Sequence, residues 1–295
     1  MSSVGADPGE CVRRALAEDL GSAGLAVEGD VTSALSVALE QRGKGWIRAK
    51  AVGVLAGLDC ALQAFRMLDP DCELEPLMQD GDAFAPGDEV LRFEGTMAAL
   101  LAAERTALNF LQRLSGVATR TRQFVDRVAG TGARILDTRK TTPGLRYQEK
   151  AAVVAGGGEN HRIGLFDQVL LKENHFGFAK PASYEEVVQR CCAGHDRPVI
   201  AEARTVDEAV AAVSGGASVV LLDNFPAGEP LRAAVAAVRE RAAACDRVVE
   251  TEASGGIDLD NVRSYAECGV DRISVGSITH SAPAVDLSMI VEGVQ

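Results

Sequence analysis

Six short apolar runs in the second half of the chain each end on a residue that can do chemistry. Arg139 and Lys140 follow RILDT (134–138), Lys172 closes QVLLKE (168–173) and Glu202 closes PVIAEA (198–203). Asp223 ends SVVLLDN (218–224), Glu252 ends RVVETEA (247–253), and Gly276 ends RISVGS (272–277). Unpaired buried charge is expensive, so packing alone does not explain charges recurring at such positions. The cations come first and the acids follow, a split that suits a substrate with an anionic end and a hydroxyl-rich or metal-bound end. Ser254-Gly255-Gly256 and Gly276-Ser277, with His280 just beyond, add a phosphate signal, because glycine lets backbone N–H groups approach phosphate oxygens closely. GGGENHR (156–162) ends in His161-Arg162; its triple glycine reads as a lid or a plain loop. That adjacent pair can serve one ligand only where the backbone is non-helical. Arg105, Arg139 and Arg162 donate in forks that match planar carboxylates, which makes a dicarboxylate a reasonable ligand.

The elements that must position these groups follow from pattern. The six runs alternate with helical stretches such as SYEEVVQRCC and TVDEAVAAVSGG, and β then α repeated implies a parallel sheet. No GxGxxG follows a strand, which counts against a doubly wound dinucleotide fold. A βα barrel is expected, with its chemistry at the C-terminal ends of the strands. The first third reads as mixed: a helix near 10–20, a strand over 45–54, a helix over 58–68 and a hairpin-like segment DGDAFAPGDEVLRFEG (80–95). From Met97 a helix carries Leu100, Leu101, Leu108, Leu111 and Leu114 as an apolar stripe, with Arg105, Asn109 and Gln112 on another face. Ser115-Gly116 is expected to interrupt it before a second helix ends near Val128.

Composition narrows the class. At 295 residues the chain exceeds one ordinary domain, and 47% hydrophobic with 24% charged residues is ordinary globular composition. The net charge of −12 argues against a nucleic-acid surface. Between residues 134 and 175, seven basic residues against five acids give +2, leaving −14 elsewhere; a cationic pocket in an acidic protein suits a small anionic ligand. No apolar run approaches a membrane span, MSSVGADPGE lacks a leader pattern, and the seven cysteines form neither CxxC nor zinc spacing. A cytoplasmic protein with reduced cysteines is expected.

Residue by residue, DTRKTTPGLRYQEKAAVVAGGGENHRIGLFDQVLLKENH (137–175) closely resembles the signature region of quinolinate phosphoribosyltransferases (nicotinate-nucleotide pyrophosphorylases, carboxylating). AERTALNFLQRLSGVAT (103–119), LLDNF (221–225), EASGGI (252–257), VGSITHSAPAVDLS (275–288) and GDVTS (29–33) extend the likeness in order along nearly the whole chain. The resemblance implies an α/β fold: an irregular, incomplete (β/α) barrel over 116–281 with a smaller N-terminal α/β sandwich over 1–115, onto which 282–295 packs back. It implies transfer of the phosphoribosyl group of 5-phosphoribosyl 1-pyrophosphate to quinolinate with decarboxylation, giving nicotinate mononucleotide, carbon dioxide and pyrophosphate in NAD biosynthesis. Lys140, Lys172, Glu202 and Asp223 would be catalytic. Arg105, Arg139, His161, Arg162 and Lys172 would hold quinolinate, with Arg105 reaching the site of the other subunit in a homodimer. Lys140, Glu202, Asp223, Ser254, Gly255, Gly276 and His280 would hold the phosphoribosyl pyrophosphate. Magnesium would arrive with that substrate and meet Glu202 and Asp223 through substrate or water, and no organic cofactor is needed.

The sequence departs from the family pattern where Ile200-Ala201-Glu202 keeps only the second acid of a usual E-x-E, and Glu159 and Phe166 are less usual choices. The competing readings are a related enzyme acting on another pyridine or aromatic carboxylate, a barrel lyase using Lys172 as a Schiff-base nucleophile, and a non-catalytic sugar-phosphate-binding protein.

Overall fold

A computed structural model describes residues 7–38 and 40–293; the first six residues of the stretch read for a leader, and the last two of the 282–295 segment, lie outside the described residues. In chain order come α1 (Pro8–Leu20), a 3-10 turn (Val27–Gly29), α2 (Val31–Ser36), β1 (Arg42–Ala49), β2 (Gly53–Val54), α3 (Leu58–Leu68), β3 (Glu73–Pro76), β4 (Ala83–Phe84), β5 (Glu89–Thr96) and α4 (Met97–Val128). Then follow β6 (Arg134–Leu136), α5 (Arg146–Ala155), β7 (Val169–Leu171), α6 (Glu173–Phe178), α7 (Tyr184–Gly194), β8 (Val199–Ala203) and α8 (Val206–Gly215). The chain closes with β9 (Val219–Asp223), α9 (Glu229–Ala244), β10 (Glu250–Ser254), α10 (Val262–Ala266), β11 (Arg272–Ser274), α11 (Ser277–His280) and β12 (Leu287–Gly293). Two compact units form: residues 1–122, 141–157 and 278–295 make one, and 123–140 with 158–277 make the other.

The first unit holds an antiparallel sheet in the order β12-β1-β5-β3. Strand β1 alternates exposed and buried residues, as a strand with one face on a core must. The expected strand over 45–54 divides into β1 and the short β2, and the segment 80–95 is not one hairpin. Strand β4 pairs with β2, while β5 pairs with β1 and β3. Between β4 and β5 the Asp88 carboxylate accepts the N–H of Ala85 at 2.8 Å and closes a tight turn. GDVTS starts a helix: Asp30 accepts the N–H groups of Thr32 and Ser33, at 3.1 Å each, and so caps α2.

Helix α4 is unbroken through Ser115-Gly116, contrary to the expected interruption. Both residues serve contact instead. Ser115 is buried and its hydroxyl accepts the Ala56 N–H at 3.1 Å. Gly116 leaves room for the backbone of Pro283, whose carbonyl oxygen would lie 2.1 Å from any Cβ there. On the same helix Leu100, Leu108, Leu111 and Leu114 are buried, each side chain contributing about 1.5–3 kcal/mol relative to exposure.

The second unit is a six-stranded parallel sheet in the order β6-β11-β10-β9-β8-β7. All six runs read as strands form it, each slightly shorter than its apolar run. Strand β8 is buried throughout and β9 nearly so, as parallel strands covered on both faces are, with Ile200, Val219 and Leu221 packed together and Leu170 against them. Consecutive strands from β7 to β11 neighbour one another, and among the described residues no ladder joins β6 to β7. The free edge of β6 instead takes a bridge between Leu136 and Glu159, with the Glu159 N–H donating to the Ile135 carbonyl at 2.8 Å.

Candidate active site

The parallel strands deliver their charged residues as the alternation of strand and helix requires. Lys172 follows β7, and its Nζ stands 3.6 Å from a carboxylate oxygen of Glu202 on β8. The other Glu202 oxygen accepts the Glu173 N–H at 3.1 Å, while the Tyr184 hydroxyl donates to the Glu202 carbonyl at 2.7 Å. Phe176 stacks on Tyr184 with ring centroids 3.9 Å apart, so Glu202 is held from both sides of its strand end. Burial raises the pKa of the Tyr184 hydroxyl, keeping it a donor. The KENH run has a local logic as well: the Lys172 N–H donates to His175 Nδ1 at 2.8 Å, which fixes the backbone from which the lysine projects.

Asp223 ends β9. Burial, then the like charge of Glu202, raises its carboxyl above the ordinary value, while Lys172, Asn224 and Lys140 pull it back. Asn224, absent from the sequence candidates, adopts φ +57° and donates from its side chain to Asp223 at 2.6 Å. Its backbone N–H donates to the Ser254 carbonyl at 2.9 Å. A Cβ at Gly255 would stand 2.1 Å from the Asn224 side-chain oxygen, and Gly255 has φ +102°, so only glycine fits. Ser254 and Gly255 thus lie against the residue that orients Asp223.

The cations gather around the first strands of the same unit. Arg139 is half-buried, and its Nε is buried without a hydrogen-bond partner. Arg162 is 9% exposed; burial first and the nearby charge of Arg139 second lower its pKa, with Asp167 opposing. An arginine whose charge is disfavoured by burial and by a neighbouring guanidinium makes a strong site for an anion. Lys140 is exposed, its N–H donating to the Thr138 hydroxyl at 3.1 Å.

The stretch 161–164 is non-helical, the condition under which His161 and Arg162 can serve one site. Side chains hold its amides one after another. Asp137, fully buried, accepts from His161 N at 2.8 Å, and His161 Nδ1 accepts from Arg162 N at 2.8 Å. Asp167 accepts from Ile163 at 2.7 Å and from Gly164 at 2.9 Å. Glu252, counted among acids at strand ends, lies mid-strand in β10 with its side chain wholly buried, because β10 begins later than its apolar run.

The structure therefore brings Arg139, Lys140, His161, Arg162, Lys172, Glu202, Asp223, Ser254, Gly255 and Gly276 into one unit. Arg105 and His280 belong to the other unit. Arg105 is exposed on α4, 3.9 Å from Glu104, and His280 is exposed with Nδ1 2.6 Å from the Ser281 hydroxyl. Among the described residues no helix is long and apolar enough to cross a membrane, and no three potential metal-ligating side chains cluster. Glu202 and Asp223 nonetheless fit Mg2+, a hard cation usually held by one or two carboxylates together with substrate phosphates.

Residues 30–115 match the family model of the quinolinate phosphoribosyl transferase N-terminal domain, and residues 117–290 match that of the C-terminal domain. The chain is 38% identical over 279 residues to a probable nicotinate-nucleotide pyrophosphorylase (carboxylating) of Bacillus subtilis, covering 93% of this chain and 90% of that one. It is 35% identical to quinolinate phosphoribosyltransferase (decarboxylating) 1b of Nicotiana tabacum, covering 95% of this chain and 81% of the relative. Among solved structures, the nicotinate-nucleotide pyrophosphorylase of Francisella tularensis superposes with a TM-score of 0.86 at 36% identity, covering 97% of this chain and 96% of that one.

Proposed function

The chain belongs to the quinolinate phosphoribosyltransferase family, and from that footing we propose how its residues perform the family reaction. It transfers the phosphoribosyl group of 5-phosphoribosyl 1-pyrophosphate to quinolinate and releases carbon dioxide and pyrophosphate, leaving nicotinate mononucleotide. One observation carries the assignment of roles: two neighbouring guanidinium groups, half-buried Arg139 and buried Arg162, share a unit with a lysine–carboxylate cluster of Lys172, Glu202 and Asp223. The first suits a planar dicarboxylate and the second a sugar phosphate.

In this reading Arg139, Arg162 and Lys172 bind quinolinate, assisted by His161. Arg105 of a second subunit completes the site in a homodimer. Lys140, Ser254, Gly255, Gly276 and His280 bind the phosphates. The pyridine nitrogen forms a bond to the anomeric carbon as the bond to pyrophosphate breaks, with positive charge on the sugar in between. Glu202 and Asp223 face that charge, while Lys140 and Lys172 balance the charge on the leaving group. Glu202 and Asp223 would hold Mg2+ through substrate or water, and the ion would supply further neutralisation of the leaving charge. The cationic ring nitrogen of the phosphoribosylated quinolinate then stabilises the electron pair left on the adjacent ring carbon as the carboxylate departs as carbon dioxide, and a proton from solvent takes its place, so no organic cofactor is required. The setting we propose is cytoplasmic.

The test is to incubate the protein with magnesium, phosphoribosyl pyrophosphate and carboxyl-labelled quinolinate, following labelled carbon dioxide and nicotinate mononucleotide together. Equal, magnesium-dependent release of both is expected. Neither product from folded protein would reject the substrate, and other pyridine carboxylates would be tried in its place.

A further inference from the structure

One wholly buried charge in the second unit has no part in the substrate contacts proposed above. Glu252 is wholly buried in the middle of β10, in register with Leu221 of β9 and Arg272 of β11. One carboxylate oxygen lies 3.3 Å from His161 Nε2 and the other 3.1 Å from Arg272 Nε. Burial alone would raise its pKa. The nearby His161 ring, the charge of Arg272 and the Ser274 side chain outweigh burial and lower it, so the group is an anion. Leaving one such anion in a fully desolvated place costs several kcal/mol unless its partners are well set. His161 is one of those partners, and it is only 7% exposed.

The state of that ring follows from its contacts. Nδ1 accepts the N–H of Arg162, so it carries no proton, and the ring proton sits on Nε2, facing Glu252. The opposite tautomer would set an Nδ1–H against the Arg162 N–H, donor to donor, and would turn a lone pair toward the carboxylate. We infer that Glu252 is a positioning residue: by holding His161 as the Nε2–H tautomer, it makes the ring the acceptor that anchors the Arg162 backbone and so aims the Arg162 guanidinium at its anionic ligand. His161 then acts on the ligand through Arg162 rather than through its own ring. The ligand named here, a pyridine dicarboxylate, rests on the function proposed above.

Outer partners of this kind change affinity by roughly 10–100-fold when altered. Glu252→Gln is therefore expected to raise the KM for quinolinate about tenfold while leaving kcat and the KM for phosphoribosyl pyrophosphate within about threefold, the mark of lost uniform binding. His161→Asn keeps an acceptor at the Nδ1 position, whereas His161→Gln keeps a polar group only at the Nε2 position. His161→Asn should retain most quinolinate affinity and His161→Gln should lose it. Adding Glu252→Gln to His161→Asn should cost nothing further, because the route through the ring is already cut. Nitrogen-15 NMR of the wild-type protein at neutral pH, with the His161 signals identified by their loss in His161→Asn, should show a neutral ring protonated on Nε2. That reading does not depend on substrate, so it separates failure of this inference from failure of the proposed function. An imidazolium or an Nδ1–H ring in the wild type overturns the inference. Equal loss in His161→Asn and His161→Gln, or an undiminished Glu252→Gln effect in the double variant, does so as well.

Discussion

A methyl group on Gly116 would sit 2.1 Å from the carbonyl oxygen of Pro283 and 3.0 Å from its carbonyl carbon. Ordinary contact begins near 3.4 Å, so one backbone must retreat by about 1.3 Å. Neither is free to do so. Helix α4 is continuous here, and Arg113, about one turn earlier, binds the carbonyls of Thr279 and Ala282, the latter at 2.8 Å. The Val285 N–H donates to the Gln112 carbonyl at 3.0 Å, and the Gln112 amide donates to the Leu287 carbonyl at 2.8 Å. Overpacking of this kind costs about 1–3 kcal/mol, and a clash between two backbones belongs at the upper end. Alanine regains about 1 kcal/mol of helix propensity, leaving a net loss near 2 kcal/mol for Gly116→Ala. At roughly 2–4 °C per kcal/mol the thermal midpoint should fall by about 4–8 °C. Gly132→Ala is the control, since nothing lies within 4 Å of a Cβ there and its φ is not in the left-handed range. That change should be neutral or stabilising by up to about 1 kcal/mol. Circular dichroism melts of both variants decide the matter. A Gly116→Ala midpoint at or above that of the wild type would refute the claim that this glycine exists to admit the 283–284 backbone.

Asp223 has a pKa raised by burial and by Glu202, so its ionised form is less favoured folded than unfolded; its contribution to stability improves as pH falls through that raised value. Carbon-13 titration of the Asp223 carboxyl should move to higher pH in Lys172→Met and to lower pH in Glu202→Gln, and no movement in either would discard the charge coupling. If Arg105 completes the site of a second subunit, mixing inactive Arg105→Ala and Lys140→Ala dimers should restore part of the activity through hybrids carrying one intact site. Mixtures as inactive as their parents, with subunit exchange demonstrated, would place Arg105 in its own subunit's site or in none.

The parallel sheet is legible in the sequence because strands covered on both faces carry continuous apolar runs such as SVVLLD, and the punctuation between runs marks the crossovers. The charged groups at their ends are visible for the same reason. Position within a strand is not. A charge seen near the end of an apolar run can lie mid-strand if the ladder begins two or three residues late, as for Glu252 in β10. Asn224 escapes because its role depends on φ and on a neighbouring loop, neither of which residue type reveals. Ser115-Gly116 misleads because a glycine that breaks a helix and one that admits a close neighbour look alike until the neighbour, Pro283, is known. Pairing of β4 with β2 rather than β5 is likewise a long-range choice, made by partners and not by the turn between.

Strand β12 supplies one edge of the first unit's sheet by pairing residues 287–293 with residues 43–49 of β1. A ribosome makes β1 early and its partner only after the whole second unit has been written. At roughly 5–20 residues per second, the nascent chain carries the unpaired edge of β1 for on the order of 10–50 s. A bare strand edge is a template for pairing with other chains. Arg42, Lys44 and Arg48 line the outward face of β1, and like charges on two such strands repel each other. Those three side chains are thus placed to guard the young protein, before any active site exists to be served.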